Sequence, residues 1–598
     1  MKVFWYSWSV CILFLVKANG QTIPVGTPYF DEALRRAQLL GRLDTNVSFM
    51  IRPVDPMRNS RALRLFYSDP VLSPTDTVRS MKFADTYFTI VRDSTFRLKI
   101  LEGNEVSQKP NTYSSARVVL LPIQTHFRFN SHHPYGWSDG AMVPAKGPQL
   151  FASGGAFVKI GPLEMQYRPE FVWAQNDSFQ NPPFRSRGID MPERMGQESY
   201  QQTFLGQSFA KVHLGPIAVG VSNENLFWGP GVKNSIILSN NAPGFRHATV
   251  ATNKPVRTKY GTIEGQMVMG RLQRSGFIYP LRYQGTWPPI AENVIKDTAD
   301  RDVFHSYVNM MQGVWQPKWT PGLFLGVSRV VQVDGAPIDY SDYFRILYLS
   351  PRGENTGGGP QGEAIQRNQL VSVSMRYLLA KSHAEFYVEV GREDWWWDFE
   401  DLLTRPKATT AWMAGFRKLY VLTGQDRWLQ VFGEMTEIQA PLDNFIHPYI
   451  GSTYSFYTHS NRVGWTNRGQ VMGAGIGPGS NMATLGISYG KGFDVLGLSF
   501  ERVANNEDLF YSQIDYLRLN SPTGNPLFLD FSKHYVDWGI LAHYHKAYGK
   551  MLVGYQAHAL RTYNFQWNYS PTGTAGPFRF PGINVWSLNL ELTMLYRF

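Results

Sequence analysis

The sequence predicts an all-β transmembrane protein, a closed antiparallel outer-membrane β-barrel with a small N-terminal helical segment. Three observations predict it. The N-terminus reads as an export signal. The chain is rich in aromatic residues and glycine yet has no long apolar stretch. Its C-terminal four-fifths alternate apolar and polar residues with a period of two.

The export signal comes first. Lys2 supplies the positive start, Val3 to Val16 form a short apolar run, and Lys17-Ala18-Asn19-Gly20 ends on a small residue. This layout predicts a secretory signal peptide over residues 1–20, cleaved after Gly20. The run is short for a spanning helix, which argues against an uncleaved anchor. Cys11 is the only cysteine and lies inside this run, so the exported chain would carry no disulfide and no thiolate metal site. A lipoprotein acylation at Cys11 fits poorly, because most of the apolar run follows it.

Composition narrows the class. Aromatic residues make up 14% of the chain, with 54 glycines and 37 prolines. Mean hydropathy is −0.27, and no later segment offers the uncharged run that a membrane helix needs. Many strands and turns, apolar on one face and polar on the other, account for both facts. Formal net charge is +11, and removal of Lys2 and Lys17 lowers it by two. At a cell surface this favours acidic partners, either phosphorylated lipid headgroups or acidic polysaccharide. No nucleic-acid-binding motif is present, so nucleic acid is not an expected partner.

Residues 21–115 read as a mixed N-terminal segment, periplasmic or tucked into the barrel mouth. Within it Phe30–Leu43 has helical periodicity, with Leu34, Ala37, Leu40 and Leu43 on one face. Asp31 and Glu32 lie in the first turn, where the helix dipole favours negative charge. Short alternating runs follow at Asn46–Val54 and Tyr87–Ile100.

Residues 116–598 read as the barrel. Val119, Leu121, Ile123, Phe127 and Phe129 share one strand face, and Gln124, His126 and Arg128 the other. Val536, Trp538, Ile540, Ala542 and Tyr544 oppose Asp537, Gly539, His543 and His545. Val553, Tyr555, Ala557, Ala559, Tyr563, Phe565 and Trp567 oppose Gln556, His558, Thr562, Asn564 and Gln566. One apolar face at a period of two is what a lipid-facing strand requires. Gly161-Pro162 and Gly215-Pro216 mark two tight hairpins, suited to short periplasmic turns. In the last strand Trp586, Leu588, Leu590, Leu592, Met594, Tyr596 and Phe598 alternate with Ser587, Asn589, Glu591, Thr593 and Arg597, with Leu595 as the exception. A terminal aromatic strand ending at Phe598 resembles the signal read by the barrel-assembly machinery, an expected partner alongside outer-membrane lipid. At roughly 27 residues per strand and connection, Arg117–Phe598 holds about eighteen strands.

The segment Asn223–Arg271 stands apart. It joins Trp228-Gly229-Pro230-Gly231 to Ser239-Asn240-Asn241-Ala242-Pro243-Gly244-Phe245. This pair of motifs resembles the signature of the Wzi capsule-assembly family of outer-membrane proteins, and Glu389–Phe416 is similar to the family in its acidic-aromatic loop followed by a strand. The resemblance implies an eighteen-stranded barrel with helical elements at the periplasmic side. It also implies a lectin-like anchor that retains capsular polysaccharide.

The motif residues offer suitable chemistry. Asn234, Asn240 and Asn241 carry amides that pair with sugar hydroxyls. Arg246 and His247, with Lys254, Arg257 and Lys259, add positive charge for uronate or phosphate. Trp228 completes the candidate set here. The same segment can also fold inward and plug the barrel, its polar groups satisfying one another. A second candidate set is Trp395, Trp396, Trp397 and Asp398, where indole faces stack on sugar rings and carboxylates accept from hydroxyls. An interfacial aromatic belt explains those tryptophans equally well.

Catalysis and metal binding find less support. A glycosidase needs two carboxyls at a set separation, which the acidic run 393–401 does not specify. His132-His133 and the pair His543 and His545 lack an obvious third ligand, so hydrogen-bonded polar fill is the simpler account. No GxSxG, P-loop or HExxH motif appears. No catalytic residue, metal or cofactor is therefore expected. Two other functions remain open, a porin-like transport barrel and an outer-membrane enzyme acting on glycan or lipid.

Overall fold

The computed structural model describes residues 25, 28–41, 45–54, 116–179, 198–275, 306–334, 366–393, 409–422, 427–440, 456–457, 464–491, 494–510, 534–567 and 582–596. The expected signal peptide with Cys11, the run Tyr87–Ile100, the set Trp395–Asp398 and Phe598 lie outside these residues.

Eighteen antiparallel staves close into a barrel. In chain order they are β1 (Ala116–Asn130), β2 (Gly147–Ile160), β3 (Leu163–Tyr167 and Glu170–Ala174), β4 (Tyr200–Phe204 and Phe209–Leu214), β5 (Ile217–Ser222), β6 (His247–Thr252 and Val256–Thr258), β7 (Gly261–Leu272), β8 (Ser306–Pro317) and β9 (Leu323–Asp334). Then follow β10 (Gln366–Leu379), β11 (Ala384–Glu393), β12 (Thr410–Leu422), β13 (Arg427–Glu437), β14 (Asn481–Lys491), β15 (Asp494–Ala504), β16 (Val536–Tyr548), β17 (Met551–Tyr563) and β18 (Val585–Tyr596). Pairing of β1 with β18, from Ile123↔Tyr596 to Asn130↔Asn589, seals the sheet. Closure matters because lipid offers no partner to an open strand edge.

The two ends differ. The β2–β3, β4–β5, β6–β7, β8–β9, β10–β11 and β16–β17 connections are tight, and the first and last staves also meet the chain ends on that side. Gly161 and Gly215 take φ of +56° and +61° in two of these turns, where an added Cβ would touch nothing. Long connections gather at the other end. In outer-membrane barrels the short turns are periplasmic and the long loops extracellular.

The outer wall carries two aromatic girdles. Trp412, Trp538 and Trp586 are exposed near the long-loop end, and Tyr420, Tyr489, Tyr548 and Tyr596 near the short-turn end. Trp538 and Tyr548 are ten residues apart on one face, as are Trp586 and Tyr596. At about 3.4 Å per residue and a tilt of about 40°, that spans roughly 25 Å, the height of a barrel's apolar band. Between the girdles Leu588, Leu590 and Met594 face outward, while Ser587, Asn589 and Thr593 face the lumen. Leu595, the exception in the pattern, is buried inward. No described helix is long and apolar enough to cross a membrane.

Two expected faces need correction. In β1 the register against β2 shifts between Leu121 and Gln124. This bulge flips the parity, so Leu121 is 0% exposed while Ile123 is 42% exposed. Leu121 therefore does not share the lipid face with Ile123 and Phe127; Val118 and Leu120 take that side instead. In β17 the alternation stops at Tyr563. Asn564 takes φ +51° and the chain leaves the sheet. Phe565 and Trp567 then turn inward and are buried, Phe565 with its ring 4.7 Å from that of His133.

A labelling experiment checks the bulge. In a Cys11→Ser background, the thiol of Ile123→Cys should react with a lipid-dissolved maleimide and that of Leu121→Cys should not. Equal labelling would show that the strand runs straight.

Candidate functional site

The lumen is filled from both ends. From the short-turn end enters a helix, α1 (Pro28–Leu39). It is shorter than the expected Phe30–Leu43, because Gly41 takes φ +70° and ends it. Leu34 and Ala37 are buried as the periodicity predicts; Leu40, expected beside them, is half-buried, while Leu39, off the expected face, is buried and packs with Met50, Val314, Phe324 and Leu378. The polar side is buried too, including Arg35, Arg36 and Gln38. A soluble helix would leave that side in water. Here it meets a polar barrel wall. Arg417 grips Glu32 through two bonds of 3.1 and 3.0 Å. Arg376 donates to Gln38 Oε1 and to the Ser48 carbonyl, both at 2.8 Å. Burial alone would raise the Glu32 pKa; Arg417, Arg36 and Arg35 outweigh it and hold the carboxyl below its ordinary value.

From the long-loop end the connection 223–246 folds inward, carrying the Trp-Gly-Pro-Gly motif. Phe227–Trp228 pair with Ile51–Arg52 as a two-stranded ribbon inside the barrel. Gly229 donates to the Met50 carbonyl at 2.9 Å. Arg35 donates to the carbonyls of Pro230 (2.6 Å) and Gly231 (3.1 Å), and Arg52 also reaches Gly231 O at 3.0 Å. Two arginines of the N-terminal segment thus cap the carbonyls of a turn that came from the opposite face. Glycine is required there. Gly229 takes φ +119°, and a Cβ on Gly231 would lie 1.8 Å from the Asn234 carbonyl oxygen.

The amide side of the same turn is held by the wall. Glu434 of β13 accepts the backbone N–H groups of Val232, Lys233 and Asn234 at 2.8, 3.0 and 2.9 Å, and the Tyr387 hydroxyl at 2.9 Å. Glu389 of β11 accepts from Ile236 N, Ser235 Oγ and Ser372 Oγ. Glu385, two steps of the alternation before it on the same face, binds Arg376 and lies near Arg35 and Arg417. Glu393, above it, accepts the Tyr457 N–H at 2.6 Å. One strand therefore presents three inward carboxylates, each to a different inserted segment.

Further outer segments complete the plug. Tyr457 donates its hydroxyl to Ile236 O, Trp465 donates Nε1 to Ile237 O, and Ser239 N donates to Met472 O. Leu226, Trp228, Ile236, Ile237, Leu238, Trp465 and Met472 share one apolar core with inward residues of the wall. Lys233 pairs with Glu501 at 2.9 Å. Burial would lower its ammonium pKa, and the Glu501 carboxylate more than compensates, so it is raised. The arrangement can bind and position chain; among the described residues no group of three or more metal-ligating side chains converges.

The model for the capsule assembly protein Wzi matches residues 153–532, more than half of the chain. The chain belongs to the Wzi capsule-assembly family. No curated protein matches it in sequence. Among solved structures it resembles Wzi of Escherichia coli, described as an outer-membrane protein involved in group 1 capsule assembly and a carbohydrate-binding β-barrel. That likeness has a TM-score of 0.56 at 10% identity and covers 97% of this chain and 99% of the other, which speaks for a shared fold. Pseudomonas aeruginosa OpdO and OpdQ follow at TM-scores of 0.36 and 0.34 and identities of 10% and 8%. They cover 80% and 81% of this chain and 96% and 97% of theirs. The eighteen-stranded barrel and the capsule-assembly role in the outer membrane thus follow from family membership and fold together.

Within this Wzi-family barrel, the expected site residues divide. Trp228 is fully buried and donates Nε1 to Gln266 at 2.9 Å. Asn234 donates its amide to Thr436 Oγ1. Asn240 donates to Ser138 O and accepts from Asn225, while Asn241 donates to Val471 O and accepts from Ser138 N. His247 is buried, with Nδ1 2.7 Å from Phe245 O. Arg246 alone of this set is exposed. Trp395, Trp396, Trp397 and Asp398 follow Glu393 outside the described residues. Sequence reasoning missed Arg35, Arg52, Glu389 and Glu434. The spacing of Glu385, Glu389 and Glu393 on one strand face was the available signal.

Removing one wall carboxylate should loosen the plug. Glu434→Ala leaves three backbone N–H groups and a hydroxyl without their acceptor, a loss of about 3 kcal/mol or more for a charge-assisted set. The expected result is a new ion conductance in planar bilayers and faster proteolysis near Lys233. A closed, protease-resistant variant would show that apolar packing alone seats the turn.

Proposed function

We propose that the protein is a lectin-like anchor that holds acidic capsular or related surface polysaccharide at the outer membrane. The observation that carries this reading is the filled lumen. Two chain segments meet in mid-barrel, joined by Arg35, Arg52 and the carbonyls of Pro230 and Gly231. A transport barrel needs a continuous path, and the plug counts against one. The family and the carbohydrate-binding description of its E. coli relative support a role on glycan. The basic balance of the chain suits an acidic polymer.

In this reading the exposed Arg246 meets the polymer, together with Trp395, Trp396, Trp397 and Asp398 of the acidic-aromatic run. Trp228, Asn234, Asn240, Asn241 and His247, which are buried, support the site by fixing the inserted segment 223–246. Retention is multivalent: weak stacking, polar and charge contacts repeat along a long chain and sum to firm attachment.

Deletion of the gene should leave polymer synthesis unchanged and move the polymer from the cell-bound fraction into the medium. Complementation with a combined Arg246→Ala, Trp395→Ala, Trp397→Ala variant should restore the barrel to the membrane and retention only weakly. Unchanged retention in the deletion strain would sink the anchor role.

A further inference from the structure

The wall has a notch in its outer half. β5 ends at Ser222, paired with His247 at the start of β6. Beyond that pair β4 extends outward through Phe204 to Tyr200 against β3, and β7 extends through Arg271 to Leu272 against β8. Among the described residues no strand lies between these two extensions.

A hairpin of the plug closes the notch. Thr466–Asn467 pair with Gln470–Val471, and Arg468 and Gly469 form the turn with φ of +50° and +78°. Arg271 N donates to Arg246 O at 3.2 Å, and Arg468 N donates to Gln273 O at 2.6 Å. Arg246 and Arg468 thus take neighbouring places along one edge of β7. From there the Arg468 guanidinium reaches the Phe204 ring of β4, 5.1 Å from its centre. One side chain spans the notch.

That guanidinium is half-buried. Among the described residues the side chains of Arg468 and Arg246 make no hydrogen bond or ion pair, and the charge of Arg246 acts on Arg468. In a two-residue hairpin turn Asn or Gly suits the left-handed backbone better than arginine. The turn therefore gives no reason for Arg468, and the Phe204 ring offsets only part of the cost of a half-buried charge beside a second one. An anionic group between the two guanidiniums relieves that repulsion, and the guanidinium fork matches carboxylate and phosphate oxygens. Beside the notch the outward face of β4 carries Gln201 and Thr203, both exposed, with Leu205 the first apolar residue below them. An amide and a hydroxyl suit sugar hydroxyls rather than acyl chains.

We propose that the notch seats one acidic group of the polysaccharide, a carboxylate or a phosphate, between Arg246 and Arg468. The assignment rests on the anchor reading and names where, and by which group, the polymer is held.

The test complements the deletion strain with full-length variants. Arg468→Asn suits the turn, so heat-modifiable mobility should show a folded barrel, while several-fold more polymer should appear in the medium than with the wild type. Arg246→Gln, exposed and outside the turn, should do the same and keeps the test if Arg468→Asn does not fold. Lys318→Gln, an exposed cation at the opposite end, should retain polymer as the wild type does. In phosphatidylcholine nanodiscs the wild type should bind the shed, labelled polymer several-fold more tightly than Arg468→Asn, read by fluorescence anisotropy. Reducing the polymer's carboxyls, or removing its phosphates, should bring the wild type down to the variant's level. If deletion sheds polymer and both arginine variants retain it, the notch fails and the anchor reading stands; if deletion sheds none, both fail. The same wild-type advantage for native and neutralised polymer would make Arg468 structural. Loss of co-purifying lipopolysaccharide in the variants, with polymer retained, would assign the notch to a lipid headgroup. Either result overturns the proposal.

Discussion

Chain that enters a closed barrel brings its backbone polar groups with it, and these need partners that a strand ladder no longer supplies. In this protein wall carboxylates meet that need. Glu434 takes three consecutive N–H groups of the turn 232–234, and Glu389 takes the Ser235 hydroxyl and the Ile236 N–H. The carbonyls of Pro230 and Gly231 in the same turn are acceptors, which carboxylates cannot satisfy. They are taken by Arg35 and Arg52 from a separate segment. The turn is thus a polar object held between acceptors on one side and donors on the other, and both sets are buried. A buried charge left without its partner is strongly unfavourable, so neither half of the clamp is stable alone.

That dependence joins the two ends of the molecule. The helix α1 is anchored through Glu32 to Arg417 and through Gln38 to Arg376, both wall residues. Its own arginine then reaches the outer turn. Order at the outer surface, where Asn240 and Asn241 tie the segment 138–142 to the segment 471–473, is therefore supported from the periplasmic end. Apolar packing reinforces this rather than replacing it. The core around Trp228 and Trp465 sits against inward Val268, Met310 and Leu370, so the lumen wall is apolar there and polar elsewhere.

These facts explain what was legible in the sequence. The barrel was, because a lipid-facing wall imposes a period of two that turns and girdles punctuate; the run Trp586 to Tyr596 shows it almost without error. Leu121 was misread because a bulge changes parity without changing residue type. Phe565 and Trp567 were misread because an apolar residue after a strand end can face the plug as well as lipid. The helix at Leu34 and Ala37 was readable, yet its buried polar face was not, since amphipathicity assumes water on that side. The amides of Asn234, Asn240 and Asn241 were singled out for hydrogen bonding, and they do bond within the protein. Sequence does not say whether an amide's partner is a sugar or a neighbouring loop. Glu389 and Glu434 were passed over because a lone carboxylate in a strand reads as ordinary lumen polarity.

A plug built this way also bears on why such a barrel suits attachment better than passage. A gate must have a second arrangement close in free energy to the first. Here displacement of the outer turn would expose Glu434, Glu389, Arg35 and Arg52 together, each buried and each dependent on that turn. The rigid interior instead fixes the bases of the long outer loops. A polymer that binds through many weak contacts loses less freedom on a surface that is already ordered. On the anchor reading proposed above, rigidity at the centre and contact at the outer surface are two parts of one physical solution, in which the membrane span serves as a mount for the residues that bind.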